Sequence, residues 1–174
     1  MRCAVIFGTV EGQTRKIAEV VAESLQDAGH EVVMSDVSEK GQDLALAESN
    51  LALIAAPVHQ QRHPDDIINF AKANADQLNE MASALISVSM SAALPDGEAE
   101  ARSYVDRLLS TTGWQPRATH LAAGALRYTE YDFFQEQIIR HIVLKGHDLD
   151  DIKGDHVFTD WDALKRFVDQ LIAK

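Results

Sequence analysis

Residues 5–21 read Val-Ile-Phe-Gly-Thr-Val-Glu-Gly-Gln-Thr-Arg-Lys-Ile-Ala-Glu-Val-Val, and no other stretch limits the fold of this chain as strongly. Ala4 to Phe7 is a short, continuous apolar run, the pattern of a strand buried on both faces of a parallel sheet. From Ile17 onward, Ile17, Ala18, Val21, Leu25 and Ala28 fall on one face of a helix, and Gly29 supplies its stop. Between strand and helix lies a turn carrying Thr9, Gly12 and Thr14. Such a turn leaves backbone N–H groups without helical partners at the positive end of the helix dipole. That is a seat for an anion, most often a phosphate.

The side chains narrow the kind of phosphate. Thr9 and Thr14 supply hydroxyl donors, and Gly12 lets the backbone come close to a ligand. A nucleoside-triphosphate loop ends in Gly-Lys-Ser/Thr, whereas Gly12 is followed here by Gln13. A dinucleotide turn reads Gly-x-Gly-x-x-Gly, and only Gly8 and Gly12 are present. What remains is a cradle for one terminal monophosphate, formed by Thr9, Val10, Glu11, Gly12, Gln13 and Thr14. The plainer alternative is a strand-turn-helix whose threonines cap the helix. The turn carries more donors than a cap needs.

At its constrained positions this segment resembles the flavodoxin signature: an apolar run, then Thr9, Gly12, Thr14, Ala18 and Val21. The resemblance implies that the loop holds the phosphate of flavin mononucleotide, FMN.

Composition removes several other classes. With 174 residues the chain is long enough for one domain with a substantial core and short for two. Its net charge of -11 argues against nucleic acid as a partner, and against charge-driven binding to an anionic membrane surface. The lone Cys3 excludes an internal disulfide, fits a reducing compartment, and reads as a small buried hydrophobe in the first strand. Arg2 is followed by only a few apolar residues before the glycine-threonine turn, so no signal peptide is expected. No apolar run reaches the roughly 18 residues that a membrane-spanning helix needs.

The remaining chain alternates strand and helix patterns. Strands are expected at 31–36, 51–56, 82–88 and 117–123. Helices are expected at 42–49, from Pro64 to about Leu78, at 95–109, and from the capping run Thr159-Asp160-Trp161 to the end. Together with the first strand this predicts an α/β protein, a single domain over 1–174 built on a doubly wound five-stranded parallel sheet. In the flavodoxin-like strand order 2-1-3-4-5, a ligand lies at the carboxyl ends of the strands, beside strands one and three. Three loops meet there: 8–14, 57–63 and 89–93.

In the flavodoxin reading the second and third loops hold the isoalloxazine ring through Pro57, Val58 and His59 and through Ser89, Met90 and Ser91. Electron-carrying flavodoxins usually stack a Tyr or Trp on that ring. Neither loop has one, which leaves the ring open to a second planar molecule and points toward an enzyme. His59 is a candidate catalytic group that could donate to the flavin or move a proton; the alternative is a histidine that packs or faces solvent. His59 and His63 have metal-ligand spacing, but His59 precedes the helix start at Pro64, so no metal site is expected. No serine sits in a nucleophile elbow.

Between the fifth strand and the last helix lie residues 124–158, far more than this fold needs for the connection. They begin Gly124-Ala125-Leu126-Arg127-Tyr128, and Phe134, Ile138, Ile139, Ile142 and Val143 form an apolar stripe. The insert is either a solvated excursion over the sheet edge or an aromatic-lined flap beside the flavin.

Gly124-Ala125-Leu126-Arg127-Tyr128, Ser87-Val88 and Thr159-Asp160-Trp161 resemble the menaquinone-dependent protoporphyrinogen IX dehydrogenases of bacterial haem synthesis, and the similarity spans nearly the whole chain. It implies FMN as cofactor, a porphyrinogen substrate, a quinone acceptor, and a cytoplasmic protein with at most peripheral contact at the inner face of the cell membrane. It fixes no oligomeric state. Arg127 is then the candidate to pair with a substrate propionate. The insert departs from the basic character of that family, with Glu130, Asp132, Glu136, Asp148, Asp150, Asp151 and Asp155 against Arg127, Arg140, Lys145 and Lys153. The rival readings are a long-chain flavodoxin carrying electrons, which suits the acidic balance, and an FMN-dependent quinone reductase.

Overall fold

The computed structural model describes residues 1–10, 12–38, 46–126 and 156–173. Five parallel strands form the main sheet: β1 Arg2–Phe7, β2 Glu31–Asp36, β3 Leu51–Pro57, β4 Ala82–Ser89 and β5 Ala118–Ala123. Their order is β2-β1-β3-β4-β5, the order that the flavodoxin resemblance implies. The central strands read as continuous apolar runs because both faces are covered, and every residue of β3 is buried.

The two-residue period of the strands divides the core. Val5, Phe7, Leu53 and Ile86 pack on one face against Ile17, Val21 and Leu25 of α1 (Gln13–Asp27) and Leu164 and Val168 of a last helix, Trp161–Ile172. Ala4, Ile6, Ile54 and Leu85 pack on the other face. There they meet α2 (Asp65–Ala73), α3 (Ala75–Glu80) and α4 (Glu98–Thr112) through Ile67, Phe70, Leu78 and Leu108. Each such side chain contributes about 1.5–3 kcal/mol on burial. Cys3 is buried in β1, and burial pushes its thiol pKa up.

Several expected boundaries move for local reasons. The helix from Pro64 to Leu78 is two helices, broken at Asn74, whose side-chain amide and backbone N–H both donate to the Phe70 carbonyl. The helix expected at 95–109 starts at Glu98, because Pro95 and Asp96 form a turn that Gly97 closes. A Cβ on Gly97 would lie 1.9 Å from the Ser91 carbonyl oxygen, so only glycine fits there. Ala28 is exposed beyond the end of α1, and Ala22 takes its place on the buried face. Of the helix expected at 42–49, residues 42–45 lie outside the described residues and 46–49 form a turn.

The ends of the insert meet. β6 (Ala125–Leu126) pairs antiparallel with β7 (His156–Val157), and the Phe158 N–H donates to the Gly124 carbonyl. The last helix, α5 (Trp161–Ile172), follows at once, and the Asp160 carboxylate accepts from the Ala163 N–H at 2.9 Å.

Candidate functional site

The parallel sheet brings three loops to one end. β1 delivers Gly8 and Thr9, β3 ends at Pro57, and β4 ends at Ser89.

In the first loop Gly12 is the N-cap of α1 with φ +92°, a left-handed conformation that disfavours any side chain. A Cβ there would meet nothing within 4 Å among the described residues. The Gly12 N–H donates to Thr9 Oγ1 at 2.8 Å, which folds the loop back over the helix start. Among the described residues no side chain caps the first turn of α1, so that turn presents backbone donors toward the loop. Thr14 is buried at the base of the cradle, and Val10 is 52 % exposed at its rim. The Gln13 amide donates to Thr159 Oγ1 at 2.9 Å, and Thr159 Oγ1 donates to the Ala123 carbonyl at 2.7 Å. The cradle is thereby tied to the end of β5. Glu11 lies outside the described residues.

In the second loop, the Val58 N–H donates to the Val88 carbonyl at 2.7 Å and keeps that loop on the end of β4. Residues 59–62 then form a two-residue hairpin turn. The His59 N–H donates to the Arg62 carbonyl, and the Arg62 N–H to the His59 carbonyl. Its central residues Gln60 and Gln61 have φ of 50° and 64°. That conformation costs about 1–2 kcal/mol per non-glycine residue. His59 is exposed at the turn.

His63 goes the other way. It is 2 % exposed, its Nδ1–H donates to the Pro57 carbonyl at 2.9 Å, and the Ser87 hydroxyl lies 3.3 Å from Nε2. Burial pushes its pKa down to about 4, against the Pro57 hydrogen bond, so the ring is neutral at pH 7. Both of its nitrogens are therefore engaged within the fold, and it does not turn toward His59. Among the described residues no group of three His, Cys, Asp or Glu side chains is arranged to hold a metal.

The third loop is a 3-10 turn, Ser91–Ala93, after Met90. Ser89 Oγ accepts from the Ala92 N–H at 3.2 Å. The Ser91 hydroxyl is buried and donates to Glu100 Oε2 at 2.8 Å, with the Tyr104 hydroxyl 3.5 Å away. The Ser91 carbonyl accepts from the Leu94 N–H at 3.1 Å. Beside this loop a cavity of about 270 Å³ opens at β5, lined by Ala92, Ala93, His120, Phe158 and Asp160 among others. The His120 ring stacks on Phe167 at 5.1 Å; burial lowers its pKa and Asp160 opposes that shift.

The sequence did not mark the inward turn of His63, because a histidine before a helix-opening proline reads as loop. Nor did it reveal that Arg15 leaves the cradle. Its guanidinium lies 5.0 Å from the Phe7 ring centroid and pairs with buried Asp36 at 2.8 Å. Only the carboxylate in the otherwise half-apolar run 31–36 hinted at such a partner. Arg127 lies outside the described residues.

A five-stranded parallel sheet in the order β2-β1-β3-β4-β5, with three loops gathered at the carboxyl ends of its strands, is the architecture of a flavodoxin-like domain. The chain belongs to the flavodoxin-domain family: the family model described as Flavodoxin domain matches residues 4–152. FMN is the cofactor that goes with that family. The first loop fits its phosphate, with the open space at Gly12 and an uncapped helix start.

Among curated proteins, the chain is 30 % identical over 176 residues to a Protoporphyrinogen IX dehydrogenase [quinone] of Leishmania major, covering 99 % of this chain and 75 % of the relative. It is 27 % identical over 172 residues to the protein of the same name from Escherichia coli strain K12, covering 98 % of this chain and 94 % of the relative. Among solved structures, a flavodoxin of Streptococcus pneumonia TIGR4 superposes with a TM-score of 0.59 at 19 % identity, covering 99 % of both chains, a likeness of fold. Among the described residues no helix is long and apolar enough to cross a membrane.

Proposed function

We propose that this protein is an FMN-dependent oxidoreductase that converts protoporphyrinogen IX to protoporphyrin IX, removing six hydrogens as three pairs and passing each pair to a quinone molecule. The observation that carries the reading is similarity, over 98–99 % of the chain, to relatives bearing that name. The chain acts as a single FMN-binding domain with an insert at 124–158.

Bound FMN supplies the acceptor that takes hydrogen from one partner and yields it to another. The protein's part is to hold and orient it. Thr9, Val10, Glu11, Gly12, Gln13 and Thr14 seat the phosphate through backbone N–H groups and hydroxyls. Pro57, Val58 and His59, with Ser89, Met90 and Ser91, would hold the polar edge of the ring. His59, exposed at the 59–62 turn, would be a candidate to donate a hydrogen bond to the flavin. Arg127 pairs with a substrate propionate. Without a Tyr or Trp in loops 57–63 and 89–93, the flavin face stays open to a planar substrate. The cavity beside the third loop has a mixed lining, with Ala92, Ala93 and Phe158 alongside His120 and Asp160. The protein is cytoplasmic in this reading, with at most peripheral contact at the inner face of the membrane.

One observation favours a second reading. The net charge of -11 is that of an acidic electron carrier docking on basic partners.

The test is anaerobic reduction of the FMN-loaded protein, followed in the visible spectrum. Protoporphyrinogen should bleach the flavin and a quinone should restore it, while reduced nicotinamide cofactors should leave it oxidised. Bleaching by a reductase protein but not by the porphyrinogen would replace the dehydrogenase with the carrier. Bleaching by a nicotinamide would replace it with the quinone reductase.

A further inference from the structure

The second loop is shaped by a set of backbone hydrogen bonds and by one buried histidine. It leaves β3 at Pro57 and is fastened to β4 by Val58. It then reverses through residues 59–62, where two glutamines occupy left-handed positions. Turns of this type favour Asn-Gly, which adopts positive φ readily. Gln60 and Gln61 do not hold that shape by themselves, so the surroundings must impose it.

Two contacts do so. At the tip, Arg107 Nη1 of α4 donates to the Gln61 carbonyl at 3.3 Å. At the base, the ring of His63 reaches back to the Pro57 carbonyl, six residues earlier, and meets the hydroxyl of Ser87. The Pro57 carbonyl accepts only, so Nδ1 carries the proton and Nε2 accepts from Ser87. Ser87 is fully buried in β4, a strand fixed on both sides by β3 and β5. The histidine therefore references the loop to the most rigid part of the sheet. The Arg62 guanidinium also pairs with Asp65 at the start of α2, and both side chains are exposed, so that contact adds little.

We infer that His63 is a positioning residue: through Pro57 and Ser87 it clamps the base of the strained 59–62 turn, and so fixes the backbone groups that the second loop presents to the flavin. The inference rests on the placement of the flavin ring against that loop. The side chain touches neither cofactor nor substrate; it acts through the loop. A strained loop without its clamp would relax into several shapes, and each productive contact would be lost in proportion to the fraction misplaced.

The experiment uses the full chain in four forms: the parent, His63→Phe, Ser87→Ala, and His63→Phe carrying Gln60→Asn and Gln61→Gly. Phenylalanine keeps the buried volume and removes both hydrogen bonds; Ser87→Ala removes one. The readouts are FMN affinity from quenching of flavin fluorescence, the midpoint potential of the bound flavin, and the melting temperature of the FMN-free protein. His63→Phe should weaken FMN binding about tenfold and shift the potential, and Ser87→Ala should do the same to a smaller extent. The Asn-Gly pair should restore affinity and potential, because that turn needs no clamp. Should His63→Phe fail to fold, Ser87→Ala decides the matter on the same two flavin readouts. A lower melting temperature with affinity and potential at parent values would leave His63 a packing residue and overturn the inference. So would a loss of affinity that the Asn-Gly pair does not restore. A Gly12→Val control separates this from the flavin reading. If the parent binds FMN no better than Gly12→Val does, the flavin assignment fails first and takes the inference with it.

Discussion

A neutral, buried histidine makes stability depend on pH in a definite direction. His63 has a pKa of about 4 in the fold, against about 6.5 in an unfolded chain. Between those values the unfolded state binds more protons, so stability rises with pH through that window and is lost as pH falls from 6.5 toward 4. The hydrogen bond to the Pro57 carbonyl opposes the downward shift, and burial outweighs it. At about 1.4 kcal/mol per unit, moving from pH 7 to pH 5 should remove about 2 kcal/mol. His120 is shifted the same way by burial, so the comparison must be with His63→Phe. Urea unfolding of both proteins at pH 7 and pH 5 should show a smaller loss in the variant; equal losses would mean that His63 is not the source. At Gly12 the cost is of another kind. The position is open in space but left-handed in φ, so Gly12→Val should destabilise the fold by about 1–2 kcal/mol through backbone strain. It should also weaken FMN binding at least about tenfold, because a branched side chain would stand where the phosphate approaches. A fluorescence titration giving the parent affinity would remove the phosphate from this loop. The sequence displayed Gly12 and the threonines because the motif is local. It could not display His63 as a clamp, because its partners Pro57 and Ser87 meet it only when β3 and β4 pair.

Helices show the same division between local and assembled signals. The start of α5 was legible, because Asp160 ahead of an apolar period is a capping signal and its carboxylate does accept from Ala163. Asp160→Ala should therefore cost about 1 kcal/mol, and Asp160→Asn should restore most of it, as chemical denaturation would show. A stability unchanged in Asp160→Ala would make the cap an idle contact. The break at Asn74 was not legible, since Ile67, Phe70, Ala71 and Leu78 keep one apolar face across it. Asparagine ends α2 by binding the Phe70 carbonyl, a competition that periodicity does not register. The late start of α4 is similar. Pro95 is a good first-turn residue, yet Gly97 must pack against the Ser91 carbonyl, and that contact joins residues the sequence keeps apart. The five strands were legible to within two residues at each end; β1 and β3 stand out because burial on both faces leaves a continuous apolar run, whereas the edge strands β2 and β5 are half-exposed.

For the whole molecule, the open question is what the insert does, and the fold supplies a clean way to remove it. The β6–β7 pair brings its two ends side by side, and Phe158 is tied to Gly124 just outside that pair. Thr159 then carries the link from β5 to Gln13 in the phosphate cradle. A cut inside the pair leaves all of this intact. Residues 129–155 can be replaced by a short glycine-serine link, which keeps the five-stranded sheet, α5, the three loops and Arg127. The entropy of closing a loop changes slowly with its length, so the shortened chain should fold. Its FMN affinity should stay within about tenfold of the parent, roughly 1.4 kcal/mol, because the cradle and its tie to β5 are unaltered. If the insert lines the substrate site, oxidation of protoporphyrinogen should fall much further, because the segment that orients a planar substrate would be gone. Both quantities are measured on the same purified protein. Porphyrinogen turnover at the parent rate would make the insert a solvated excursion, whereas a loss of FMN together with turnover would make it a brace of the flavin site.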